Sequence, residues 1–183
     1  MWNSAEGYGW LAKGLHWLVA LLMVGLSVLG FIFADMPRGD EKTELLILHA
    51  SFGLLLLAVM VVRLGVRLRS ARPAPLQPDA KRMNALAHSV HLALYLGVFL
   101  VIAAGMLTLM TVGWDVPFFS LFAVPTPFER DMDLHHLFEE IHIYGWWALA
   151  GFAGLHLVGA LYHAFVLKDG TFSRMGREKT AAD

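Results

Sequence analysis

Cysteine is absent from this 183-residue chain. Its absence excludes structural disulfides, iron–sulfur clusters, thiolate zinc sites and covalent haem attachment through Cys-x-x-Cys-His. Charge is scarce, at 16% of residues, and balances to a formal −1. That leaves no basic face for nucleic acid and no basis for a solvated, disordered chain. Apolar sequence takes the place of charge. Hydrophobic residues make up 57% and the mean hydropathy is +0.59. A soluble domain of this size needs a polar surface and usually falls below zero.

The apolar residues come in blocks. Charge is missing from Gly14 to Ala34, from Leu45 to Val62, from Met83 to Trp114 and from Ile141 to Leu167. Each run approaches or exceeds the roughly 20 helical residues that span a hydrocarbon core. Lipid offers the backbone no hydrogen-bond partners, so an open chain crosses it as helix. The expected fold is all-α: an integral-membrane four-helix bundle forming a single domain over 1–183. Its helices lie at approximately 9–34, 44–68, 81–112 and 135–167. The first run is too long for a signal-peptide core and lacks a small-residue cleavage site, so it is read as a mature helix.

Four crossings put both termini on one side. That side, with the 63–82 connection, holds Lys13, Arg63, Arg67, Arg69, Arg72, Lys81, Arg82, Lys168, Arg174, Arg177 and Lys179. The opposite side holds only Arg38, Lys42 and Arg130 against ten acidic residues, a formal −7. The positive-inside rule assigns both termini to the cytoplasm. The segment Arg72–Pro78, with three prolines, reads as a stiff cytoplasmic connector. Residues 115–134 are expected to form an interfacial flap at the opposite end, because Val116–Phe119 and Leu121–Phe122 are apolar.

Histidine is uncommon in membrane helices and usually functional there. On helix 4, His142 and His156 are 14 residues apart, which places them on one face within roughly 40° and about 21 Å apart along the axis. Such spacing suits two stacked metal centres, one near each leaflet, and is too long for one ion. Between them Gly145, Leu149 and Ala153 follow the same stripe; small residues there admit a planar group or simply allow close helix packing. Partners at matching depth are His16 on helix 1 and His49 on helix 2. The pairs His16–His156 and His49–His142 would each give a bis-imidazole b-type haem iron, suited to electron transfer. Arg63 lies 14 residues beyond His49, where it would pair with a haem propionate or reach out to lipid phosphate. His163, one heptad past His156, is placed to hydrogen-bond a quinone or relay a proton. His88 and His91 begin helix 3 as propionate or quinone partners, or as plain interfacial residues. His135 and His136 precede Glu139 and Glu140, as a solvated helix start or as a metal or proton-uptake site.

Gly14-Leu15-His16-Trp17-Leu18, His49-Ala50-Ser51-Phe52-Gly53 with Arg63 downstream, Ala87–Tyr95, and Leu155–His163 followed by Lys168-Asp169-Gly170 and Arg174-Met175 resemble the bacterial cytochrome b561 proteins. The likeness runs from about Gly9 to Met175, and the wider group includes cytochrome b subunits of nickel–iron hydrogenases and formate dehydrogenases. It implies a multi-pass inner-membrane protein with two haem b groups held by His16, His49, His142 and His156. The activity it implies is superoxide oxidation on the periplasmic side coupled to ubiquinone reduction near the cytoplasm. His163 and Arg82 are then the candidates to hold or protonate the quinone. Many members have a proline before Ser-Gly in helix 3; here the stretch is Ile102-Ala103-Ala104-Gly105, so the kink is not carried over.

Two other readings compete. The chain could anchor, and conduct electrons for, a separate periplasmic dehydrogenase or hydrogenase. It could instead be a metal or proton transporter, although the four clean runs contain no acidic residue to share such a task.

Overall fold

In the computed structural model, the described residues are 2–4, 7–71, 73–77 and 79–175. Arg72 and Pro78 of the connector, and Arg177 and Lys179 of the basic tail, lie outside them.

Four helices account for most of the chain: α1 (Trp10–Ala34), α2 (Asp40–Arg69), α3 (Lys81–Met110) and α4 (Met132–Tyr162). All four are long and apolar enough to cross a membrane. Two begin earlier than the apolar runs suggest. α2 starts at Asp40, where Asp40 and Glu41 in its first turn complement the positive end of the helix dipole, and Arg67 and Arg69 occupy its last turn. α4 starts at Met132 because the Asp131 carboxylate accepts from the backbone N–H of Asp133 and of Leu134, both at 3.0 Å. α3 runs unbroken through Ile102–Gly105 and stops at Gly113, whose φ of 83° is open to glycine. There the N–H of Gly113 donates to Met110 and that of Trp114 to Leu109, a Schellman stop.

The expected flap is a two-stranded antiparallel hairpin, β1 (Val116–Phe118) and β2 (Phe122–Val124), which the all-α expectation lacks. Its tip is tied to α2. Ser51 is fully buried; its Oγ donates to the Ile47 carbonyl (2.7 Å) and accepts from the Phe119 N–H (2.7 Å). Phe118 and Phe122 stack with ring centres 4.9 Å apart.

The bundle is two close pairs, α1 on α2 and α3 on α4, which meet more loosely. Val19, Leu56, Met60, Val98, Val101, Ile102 and Leu149 fill the middle, drawn from all four helices. Leu149 is thus core, and the open side of Gly145 is taken up by Val101 of α3, so both fit the packing reading of the α4 stripe. Trp146 Nε1–H donates to Ser27 Oγ (2.9 Å), tying α4 to α1. Outward residues such as Leu21, Val24 and Leu100 are more than half exposed, as lipid-facing side chains are.

Past Tyr162 the helix widens into a π-helical turn, His163–Leu167, and Lys168 reverses the chain with φ 50°. The segment then folds back as a hook. Arg174 donates to the Ala74 carbonyl (2.6 Å), Gln77 Nε2–H to Asp169 (3.2 Å), and Trp17 Nε1–H to the Met175 carbonyl (3.3 Å).

Candidate functional site

Histidines from different helices meet at two levels of the bundle. At the end away from the termini, His49 of α2 faces His142 of α4, with ring centres 6.1 Å apart and planes at 79°. At the end bearing the termini, His16 of α1 faces His156 of α4, again at 6.1 Å and with planes at 75°. All four side chains are partly buried. Both pairs bridge the looser contact between the two helix pairs.

The separation has chemical content. Two imidazoles on opposite sides of one metal ion, each bound at about 2.0–2.1 Å, have ring centres roughly 6 Å apart. The centre-to-centre distance of each pair meets that requirement. His91 of α3 also lies against His156, but at 4.9 Å and 75°, an edge-to-face ring contact too short to admit a metal between the rings. His91 is therefore a neighbour of the pair, held by its Nδ1–H donating to the Ala87 carbonyl at 2.6 Å.

The supports differ between levels. His142 Nδ1–H donates to the Val101 carbonyl at 2.8 Å. That fixes the tautomer with the lone pair on Nε2, the arrangement seen when a ligating imidazole is oriented by an outer partner. Gly105 lies against the same ring: a Cβ there would fall 2.8 Å from its Cε1 and Nδ1. His49 packs against the open face of Gly30, at 3.5 Å from where a Cβ would be, and edge-on to Phe33. Its Nδ1 is buried without a well-aligned hydrogen bond, although the Leu26 carbonyl lies toward it.

At the other level the cation dominates. The Arg63 guanidinium turns into the bundle instead of reaching for the surface. It donates to the Tyr95 hydroxyl (3.1 Å), to the Ala12 carbonyl (3.5 Å) and to His16 Nδ1 (3.2 Å). A guanidinium only donates, so His16 here accepts at Nδ1 and carries its hydrogen on Nε2. Binding a metal through Nε2 requires Arg63 to release that contact. Arg67 adds a second cation over the Tyr95 ring, 5.0 Å from its centre.

Below this level lies a separate polar group that the histidine spacing does not reveal. His163 Nδ1–H donates to Asp169 Oδ2 at 2.7 Å, and the Thr171 N–H to Oδ1 at 2.9 Å. Burial pushes the Asp169 carboxyl up, but the hydrogen bonds from Thr171 and His163 outweigh it and hold Asp169 below the usual carboxylate range. The hook and π-helical turn border an open cavity of about 260 Å³ beside His163, lined by His163, Ala164, Lys168, Gly170, Phe172 and Ser173. Arg82, on the first turn of α3, is exposed; among the described residues no hydrogen bond or ion pair joins it to His163. His88 is exposed too. Asp169, His91 and Tyr95 each act through a contact between elements, which spacing along the chain does not reveal.

Comparison with known proteins gives a consistent result. A family model described as prokaryotic cytochrome b561 matches residues 7–178. Cytochrome b561 homolog 2 of Escherichia coli (strain K12) is 30% identical over 177 residues, covering 94% of this chain and 93% of that protein. A probable superoxide oxidase CybB of Yersinia pestis is 30% identical over 180 residues, covering 94% and 97%.

Proposed function

The chain belongs to the prokaryotic cytochrome b561 family, a family of haem b membrane proteins of electron transfer, and from that premise we propose that it binds two haem b groups and moves electrons across the bacterial inner membrane, from superoxide to ubiquinone. His16 and His156 hold one group and His49 and His142 the other. The observation that carries this reading is the pair of facing imidazoles at each of two depths, each 6.1 Å apart. When bound, haem b supplies one-electron storage and release, and two imidazole ligands leave its iron no open position.

The chain's own residues do the remaining work. The Val101 carbonyl orients His142 for ligation. Arg63 supplies fixed positive charge inside the bundle for a propionate once it leaves His16. The termini and the 63–82 connection face the cytoplasm, and His163 serves ubiquinone there. Its Nδ1–H is committed to Asp169, so Nε2 is the atom that faces a quinone oxygen and exchanges a proton with it. The adjacent carboxylate stabilises the imidazolium that forms when Nε2 takes up a proton. Arg82 contributes positive charge at the same cytoplasmic face.

One observation favours a second reading of the donor. The far side bears ten acidic residues against Arg38, Lys42 and Arg130, and that field opposes an anion such as superoxide. A periplasmic dehydrogenase or hydrogenase with a basic docking face would instead be attracted, and the chain would serve as its anchor and conduit.

The test uses the purified, haem-loaded protein with a superoxide source and a soluble ubiquinone. Rapid quinone reduction by the protein alone supports superoxide as donor. His163→Asn should slow it at least about tenfold with the haem absorbance unchanged; an unchanged rate removes His163 from the reaction. No reduction by the protein alone, with a redox partner co-purifying, supports the second reading.

A further inference from the structure

The first turns of α4, at the end of the bundle away from the termini, hold a second histidine cluster. His135, His136 and Glu139 each present one ligand atom, and the three atoms lie within 4.8 Å of one another. The spacing explains why. His136 and Glu139 are three residues apart and His135 and Glu139 four, so Glu139 shares a helix face with both.

A surface ion pair does not account for the arrangement. His136 Nδ1 and Glu139 Oε2 are 3.8 Å apart and both side chains are about half or more exposed; such a pair contributes little. It also leaves His135 unexplained. His135 is half-buried, and its Nδ1 lies 3.0 Å from the Thr108 carbonyl of α3. A carbonyl only accepts, so Nδ1 carries the hydrogen and the lone pair is left on Nε2. An outer carbonyl that fixes the tautomer is how proteins orient a metal-binding imidazole. The same device, from the same helix, orients His142 through Val101.

We propose that His135, His136 and Glu139 form a binding site for one divalent transition-metal ion of the zinc class. Two imidazole nitrogens and a carboxylate suit an ion of that softness. Three protein ligands leave a fourth, open position in tetrahedral geometry. The donor atoms, at most 4.8 Å apart, must close to roughly 3.4 Å, the edge of a tetrahedron with bonds of about 2.1 Å. Exposed His136 and Glu139 can swing to do so, while His135 stays anchored on α3. Asp131, Asp133 and Glu140 nearby in the chain add negative charge that favours a cation. His135 lies seven residues and Glu139 three from His142, about 10 and 4.5 Å along the helix; the site shares no side chain with the buried pairs and stands independently of the donor and acceptor assigned above.

The experiment is Zn²⁺ titration, by calorimetry and equilibrium dialysis, of the full-length purified protein with any affinity tag removed. One Zn²⁺ per chain is expected above any weaker background. His136→Asn and Glu139→Gln, both at exposed positions, should each weaken that binding at least about tenfold. Circular dichroism and the optical spectrum, unchanged in both variants, show that the fold is intact. Co²⁺ in place of Zn²⁺ should give visible bands of tetrahedral or five-coordinate N/O ligation, lost in the same variants. Failure to bind one equivalent overturns the proposal, as does binding that either variant leaves within tenfold of the parent, since the ion would then reside elsewhere.

Discussion

A single hydrogen atom at Gly105 decides whether the His142 ring can lie where it does. The contact is with the ring itself, at 2.8 Å, and the ring has nowhere to retreat without breaking the 2.8 Å bond to Val101. Gly105→Ala is therefore expected to displace His142 and to remove or shift the absorbance of one haem per chain. Gly97→Ala is the control. Its Cβ meets only the Leu149 side chain, nearest at Cδ1, 3.1 Å, and no histidine, and should leave the spectrum as it is. Haem-to-protein ratio and reduced-minus-oxidised spectra of the two variants check this; identical spectra would contradict the role given to Gly105. The sequence alone shows Gly105 only as a small residue in α3, because spacing relates residues on one helix and says nothing of which helix lies opposite. Arg63 was similarly legible in depth but not in direction. Its partners Tyr95, Ala12 and His16 come from two other helices, so the choice between inward and outward orientation required the packing.

At the scale of elements, the hook after α4 depends on one carboxylate. Asp169 accepts from His163, Gln77 and Thr171; burial pushes its carboxyl up, but the bonds from Thr171 and His163 hold it below the usual carboxylate range. A depressed folded pKa contributes stability that is complete above the unfolded value and is lost as pH falls through the folded one. The hook should thus be fully anchored from pH 5 to 8 and loosen only in stronger acid, below the usual carboxylate range. Asp169→Asn should accelerate hydrogen exchange in residues 163–175 at pH 7 and matter much less in acid, after correction for intrinsic rates. An equal effect at both pH values would mean that the charge is not what holds the hook. The expected starts of α2 and α4, at 44 and 135, fall four and three residues inside the observed ones, Asp40 and Met132, because they follow the apolar runs over the capping signals: the acids at 40 and 41, and Asp131, an N-cap residue by type. The π-helical turn was not readable, since nothing in His163–Leu167 distinguishes it from a continuing α-helix. The hairpin was visible only as an apolar flap, because its strands are three residues each and are set by Ser51, 66 or more residues away along the chain.

For the whole molecule, two tight helix pairs meeting across a looser contact place imidazoles at two depths along α4. That much followed from four apolar runs and a 14-residue histidine interval, because membrane thickness and helix rise convert sequence distance directly into depth. Depth also pairs His16 with His156, but it does not exclude His91, which lies against His156 from another helix; only packing separates 6.1 Å from 4.9 Å. The account as a whole is tested most directly by haem quantitation with a reduced-minus-oxidised spectrum on the purified protein, alongside His49→Ala and His16→Ala. It predicts two b-type haems per chain in the parent and the loss of a different one in each variant. A correctly folded parent without haem, or variants that both retain two, would contradict it.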